Sequence, residues 1–124
     1  CWREKSPSAA TFAASKLDWA ERESERGERL TAWTRDLIAL RRSRPDLSDG
    51  RRDRVDVTYD EAARWVVVRR GRTAVACNLA AERQAVPLPG TPAGLLLAST
   101  DGFVFRDGAV DLDGESVAVL ELLA

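Results

Sequence analysis

Trp65-Val66-Val67-Val68-Arg69-Arg70-Gly71-Arg72-Thr73-Ala74-Val75-Ala76-Cys77-Asn78-Leu79 is the stretch on which the fold turns. It holds two apolar runs, Trp65 to Val68 and Thr73 to Leu79, joined through Arg69-Arg70-Gly71-Arg72. Both runs are rich in β-branched residues and nearly continuous, the pattern of central strands covered on both faces. The linker supplies a Gly able to take positive φ and charges that must face water, so the pair is expected as a β-hairpin. No reacting set of groups falls within it.

Strand signals continue on both sides. Upstream, Val55, Val57 and Tyr59 alternate with Arg54, Asp56 and Thr58, the signature of a strand wet on one side, and Asp60-Glu61-Ala62-Ala63 connects it to the hairpin. Downstream come Gln84 to Leu88, ended by Pro87, Pro89 and Gly90, and then Leu95-Leu96-Leu97-Ala98. Phe103-Val104-Phe105 and Val110-Asp111-Leu112 flank Asp107-Gly108, a strong hairpin-turn signal, and Asp113-Gly114 turns the chain into Val117 to Leu122. Seven or eight short strands at this spacing predict a mainly β fold, an antiparallel sandwich or barrel.

The N-terminal third reads differently. Residues 1–17 lack periodicity and are expected to be irregular. Asp18-Trp19-Ala20-Glu21 fits a capping box, with a short helical turn that Gly27 interrupts. From Glu28 to Arg44, Leu30, Trp33, Leu37, Ile38 and Leu40 form one apolar stripe near the 3.6 period. Arg41, Arg42 and Arg44 crowd the end, where cations complement the helix dipole, and Pro45 stops the helix. The stripe is wider than the 78 residues that follow would cover, so a missing packing partner is expected.

Composition narrows the functional classes. The 124 residues carry 19 Lys and Arg against 20 Asp and Glu, a net charge of −1 that gives no general attraction to nucleic acid or an anionic membrane. No apolar run approaches the roughly 20 residues of a membrane span, and no signal-peptide core is present, so the expected compartment is the cytoplasm. The chain has no Met, as expected of a processed or excised piece. It has no His, which removes imidazole bases and His-ligated metals together. Its two Cys, Cys1 and Cys77, form no metal-binding or disulfide framework; Cys77 is read as a buried structural thiol.

The remaining candidates for chemistry have simpler readings. Asp101, Asp107, Asp111 and Asp113 could supply the two carboxylates of a glycosidase. Turns and strand edges nevertheless account for three of them. Arg41, Arg42, Arg44, Arg51, Arg52 and Arg54 could meet phosphates, yet Asp46, Asp49 and Asp53 interleave with them and no aromatic platform accompanies them. Trp33 and Trp65 belong to the core on periodicity. Trp2 and Trp19 lie in irregular sequence, and Trp19 is the one residue retained as a weak candidate for substrate contact. No catalytic, cofactor-binding or metal-binding residue is assigned.

Ala10-Thr11-Phe12 followed by Ser15-Lys16-Leu17-Asp18-Trp19 resembles the malto-oligosyltrehalose trehalohydrolases, members of the α-amylase family of glycoside hydrolases. The helix Leu30-Thr31-Ala32-Trp33-Thr34-Arg35-Asp36-Leu37-Ile38-Ala39-Leu40-Arg41-Arg42, then Arg44-Pro45-Asp46-Leu47, is similar to the end of that family's barrel. Ala76-Cys77-Asn78-Leu79 and Ser116-Val117-Ala118-Val119-Leu120 are similar to its C-terminal β-sandwich. The resemblance implies two parts: residues 1–46, a remnant of the barrel end with the closing helix at about 28–44, and residues 47–124, the sandwich. It implies as partner a (β/α)8 barrel that carries the nucleophilic Asp, the acid/base Glu and a stabilising Asp, all preceding this chain. No position here matches their motifs. The implied parent hydrolyses the α-1,4 bond next to the trehalose unit of maltooligosyl trehalose, with neither metal nor organic cofactor, while the 124 residues alone are inactive. Two alternatives stay open: a stand-alone glucan-binding β module, and the tail of another amylase-type enzyme, branching or debranching.

Overall fold

The computed structural model describes residues 8–123, so the readings of Cys1 and Trp2 lie outside the described residues. These residues group into two compact units, 8–32 and 33–123.

In the first unit, α1 (Ala9–Ser15) occupies sequence expected to be irregular. Its four alanines are good helix formers, and the Ser8 hydroxyl caps it by accepting the Thr11 N–H at 3.2 Å. Local propensity and a cap suffice here, since none of α1 is buried. Asp18 caps the 3-10 turn Trp19–Glu23, its carboxylate accepting the Ala20 N–H at 3.0 Å, as its place in the sequence predicts. The main helix, α2 (Glu25–Ser43), starts earlier than expected and runs through Gly27. The Ser24 hydroxyl accepts the Gly27 N–H at 3.0 Å, and Glu25 and Glu28 favour the positive helix end. Gly27 marks a close approach and not an interruption: a Cβ there would stand 2.1 Å from the Glu21 carbonyl oxygen.

In the second unit, α2 ends at Ser43 and Arg44 turns extended (φ −117°, ψ 116°), the conformation a following proline imposes. Pro45 then opens the four-residue helix α3 (Pro45–Ser48). Among the described residues, eight strands follow: β1 (Val55–Asp60), β2 (Trp65–Arg70), β3 (Thr73–Asn78), β4 (Gln84–Pro87), β5 (Pro92–Ala98), β6 (Val104–Arg106), β7 (Ala109–Leu112) and β8 (Ser116–Leu122). They form two antiparallel sheets, β1-β2-β3-β8-β5 and β4-β7-β6. Pro87 and Pro92 both lie on edge strands, where a missing N–H costs no ladder bond.

The two sheets share one core. Val67, Ala74, Ala76, Ala118, Leu120 and Leu122 of the larger sheet pack with Val86, Val110 and Leu112 of the smaller. Trp65 and Phe103 pack against its margin, as core tryptophan was expected to do at 65. Three alanines on the inner face, Ala74 opposite Leu120 and Ala76 opposite Ala118, leave room for the larger side chains of the facing sheet.

The hairpin at the centre forms with a shorter loop than expected. Arg70 pairs with Thr73, so only Gly71 and Arg72 turn the chain, and Gly71 takes φ +59° at the first loop position. Arg70 belongs to the strand and is half-buried, correcting the expectation that it faces water. Its guanidinium donates to the carbonyls of Leu47 and Asp49, which satisfies the charge in place of solvent. The Asp46 carboxylate closes over the turn and accepts the Arg72 N–H at 3.0 Å. A Cβ on Gly71 would meet that carboxylate at 2.7 Å. Gly71→Ala is therefore expected to destabilise the sandwich by about 1–3 kcal/mol, from a strained φ and a displaced acceptor. The urea midpoint reads it, at unchanged slope.

The two faces of the larger sheet are not equally covered. Register places Val57, Val66, Val68, Val75, Cys77, Val117 and Val119 on the face turned away from the smaller sheet. Val119 is buried, and Val66, Val68, Val75 and Cys77 are half-buried, but Val57 and Tyr59 stand in the open. The central strands β2 and β3 were expected to be covered on both faces, and on the outer one they are only half-buried; β1, expected to be wet on one side, is exposed from Asp56 to Asp60 on both.

Candidate functional site

The four C-terminal aspartates do not converge on a reacting centre. The Arg106 guanidinium donates to Asp111 at 2.6 Å, and the Arg83 guanidinium to Asp113 at 2.7 Å, on separate pairs. Asp107 sits in the β6–β7 turn beside Gly108, which takes φ +70°. Asp101 is exposed in the segment before β6. Asp107 serves a turn, as read from the sequence, while the ion pairs of Asp111 and Asp113 were not read there.

The basic stretch is likewise engaged in structure. Arg44 donates to the Thr73 hydroxyl at 3.2 Å and to Glu121 at 3.1 Å. Arg51 and Arg54 both flank Asp49, at 3.4 and 3.6 Å. Arg41 and Arg42 occupy the last turn of α2, where they complement its dipole. Of these contacts, those of Arg44 tie the segment leaving α2 to the sandwich.

Trp19, the weak candidate for substrate contact, opens the 3-10 turn with 73% of its surface exposed. Trp33, expected in the core, is instead half-buried on α2 and outside the sandwich core, and Leu30, Leu37 and Ile38 of the same stripe are exposed. None of α2 is buried.

Two hollows open at the β1–β2 end of the sandwich. One, of about 490 Å³, lies between the 62–64 turn and the 80–82 loop, with Gln84 in its wall. The other, of about 450 Å³, is mostly apolar and is lined by Tyr59, Trp65, Val66 and Leu79, with Asp60, Glu61 and Arg64 at its margin. The Asp60 carboxylate already accepts the Ala63 N–H at 2.9 Å and so serves the turn.

Behind the first hollow lies a polar knot that the sequence reading did not single out. Asn78 is fully buried, and its amide nitrogen donates to the carbonyls of Glu82, Leu112 and Asp113 at 2.9, 3.2 and 2.9 Å. Its amide oxygen accepts the Ala80 N–H at 3.0 Å and the Gln84 amide at 2.7 Å. The signal was present: one amide ends an otherwise apolar strand. Cys77, beside it, points to the other face and is half-buried where a buried thiol was expected; that partial burial pushes its pKa up. The described residues include no group of three or more His, Cys, Asp or Glu able to hold a metal, and no helix long and apolar enough to cross a membrane.

The geometry therefore defines a β-sandwich in which Asp111, Asp113, Asp49 and Arg44 serve ion pairs and the join to α2, with apolar side chains left open at its β1–β2 end. The chain belongs to the family described as "Domain of unknown function (DUF3459)", which matches residues 50–119. Beyond that core it resembles the C-terminal part of malto-oligosyltrehalose trehalohydrolases. The chain is 43% identical over 110 residues to the one from Mycobacterium tuberculosis H37Rv and 41% identical over 111 residues to the one from Rhizobium sp. strain M-11. Each match takes in 89% of this chain, and the chain spans only 18% of the length of these curated relatives. The fold is similar to the 1.4 Å crystal structure of a Salmonella typhimurium protein assigned as an alpha amylase, with TM-score 0.64 and 30% identity, over 92% of this chain and 19% of that one.

Proposed function

We propose that these residues form the C-terminal structural domain, together with the closing helix of the barrel, of a glycoside hydrolase that releases trehalose from maltooligosyl trehalose. In this reading the α-1,4 bond next to the trehalose unit is hydrolysed by carboxylates on barrel strands that precede the present chain. The domain supports that barrel and supplies no reacting group, and the enzyme works in the cytoplasm without metal or organic cofactor. The observation that carries the reading is the shared 43% identity with a trehalohydrolase over 89% of this chain, combined with aspartates that are engaged in turns and ion pairs.

The test compares two polypeptides: the 124 residues, and the longer product obtained by extending the reading frame upstream. The longer product is expected to release trehalose from maltooligosyl trehalose and the 124 residues to release none. Trehalose from the short chain, or an upstream sequence with branching or debranching motifs, would overturn the reading. A second reading, glucan binding by the isolated module, is favoured by the open indole of Trp19 alone. It requires maltooligosaccharide affinity that Trp19→Ala removes.

A further inference from the structure

We propose that the outer face of the five-stranded sheet, at its β1–β2 end, is the surface on which the remaining polypeptide of the parent enzyme docks. This rests on the reading above and adds to it the location of the contact. Val57, Tyr59 and Leu79 are 53%, 64% and 61% exposed, and Tyr59 and Leu79 meet Val66 around the apolar hollow of about 450 Å³. A sheet face turned to water ordinarily carries polar side chains at such positions. Here Val57 and Tyr59 are open and Val66, Val68 and Val75 half-buried, with no polar side chain in the row Val57-Val68-Val75, while Val119 farther along it is already buried. An apolar surface of this kind marks an interaction site.

The occupant follows from how the chain reaches this face. Arg70, Thr73 and Glu121 are register neighbours at the other end of the same face. Arg44, the residue through which the chain enters the sandwich, is bound to Thr73 and Glu121 there. Polypeptide preceding Arg44 is thus tethered to the outer face and held near it at high effective concentration. The relatives show how much polypeptide that can be, since the matched stretch is 18% of their length. A glucan would find polar partners only at the margin of the hollow, where Glu61 and Arg64 stand and the Asp60 carboxylate is engaged with Ala63; the valines beyond it offer none to sugar hydroxyls.

Hydroxyl-radical footprinting of both polypeptides, at submicromolar concentration and read by mass spectrometry, tests the assignment. In the longer polypeptide, oxidation at Tyr59 and Leu79 should slow by roughly fivefold or more, as in the water-excluding core of an interface. Val104 and Phe105, on the smaller sheet, should oxidise equally in both. Val57→Asp should leave the short chain folded and return Tyr59 of the longer one to the fast rate. Equal rates at Tyr59 in the two polypeptides would overturn the proposal. So would protection that appears only as the longer polypeptide is concentrated, which assigns the face to a second copy. Protection of Tyr59 in the short chain by added maltooligosaccharide would assign it to glucan. A longer polypeptide that shields Tyr59 but releases no trehalose removes the proposed activity and keeps the docking face; one that releases trehalose with Tyr59 unshielded does the reverse.

Discussion

Asn78→Ala is expected to destabilise the sandwich by about 3–5 kcal/mol, near the upper limit for a single substitution. The side chain stands at the end of β3, fully buried, and ties three separated pieces of backbone together. Removing it takes the donor from the carbonyls of Glu82, Leu112 and Asp113 and the acceptor from the Ala80 N–H. Each polar group left buried without a partner costs about 1–3 kcal/mol, and those nearest the loops recover part of this by reaching water. Asn78→Asp separates this explanation from simple loss of volume. It keeps the shape but replaces the donor with an ionised oxygen facing three carbonyls, so at neutral pH it should be at least as damaging as Ala. A chain of this size should lose roughly 10–20 °C of melting temperature in either variant. Ser99→Ala provides the contrast: its hydroxyl also accepts a backbone N–H, from Val117 at 2.9 Å, but at an exposed site. There water replaces the lost partner, and the cost should stay below about 1 kcal/mol. Equal losses in the Asn78 and Ser99 variants would show that the buried knot contributes no more than an ordinary surface bond.

Asn78 also marks where sequence reading stops. Strand positions were legible because alternation in β1, continuous apolar runs in β2, β3 and β5, and turn residues such as Asp107-Gly108 are local signals, although β5 starts at Pro92, ahead of the run that marked it. That an amide at the end of β3 would meet backbone from residues 82, 112 and 113 was not legible, because such contacts depend on how the two sheets stack. Arg70 failed for a related reason. A charged residue beside a Gly reads as loop, yet carbonyls of Leu47 and Asp49 supply partners that let it remain in the strand. Gly27 was misread because a gap in periodicity and a close approach of backbone look alike in sequence; only the Glu21 carbonyl separates them. In the N-terminal segment, α1 escaped notice because it buries no face and so carries no period to detect. The candidate site was legible chiefly in what its residues serve. The interleaving of Asp46, Asp49 and Asp53 with the arginines spoke against a phosphate site; that Asp49 stands beside both Arg51 and Arg54 came only with the structure.

Leu120→Ala should produce the second large effect, a loss of roughly 2–5 kcal/mol. Leu120 is fully buried on β8, directly opposite Ala74 on one side and Leu95 on the other. Ala74 cannot extend to fill the space, and its neighbours on the same face, Ala76 and Ala118, are equally short. The cavity would therefore persist, adding its own cost to the lost transfer free energy of the side chain. The same alanines make the opposite change unfavourable: Ala118→Leu would push against the facing sheet and cost about 1–3 kcal/mol. Val57→Ala provides the comparison, because it removes apolar atoms of the larger sheet from a position that is already mostly wet. In the 124-residue chain it should change stability by less than about 0.5 kcal/mol. The contrast has a physical reading that does not depend on absolute values. If Val57→Ala were as costly as Leu120→Ala in the short chain, the outer face would already be packed within these residues and would need no further polypeptide. If its cost is small in the short chain and rises in the longer polypeptide, while that of Leu120→Ala stays the same, the added stabilisation comes from contact at the outer face.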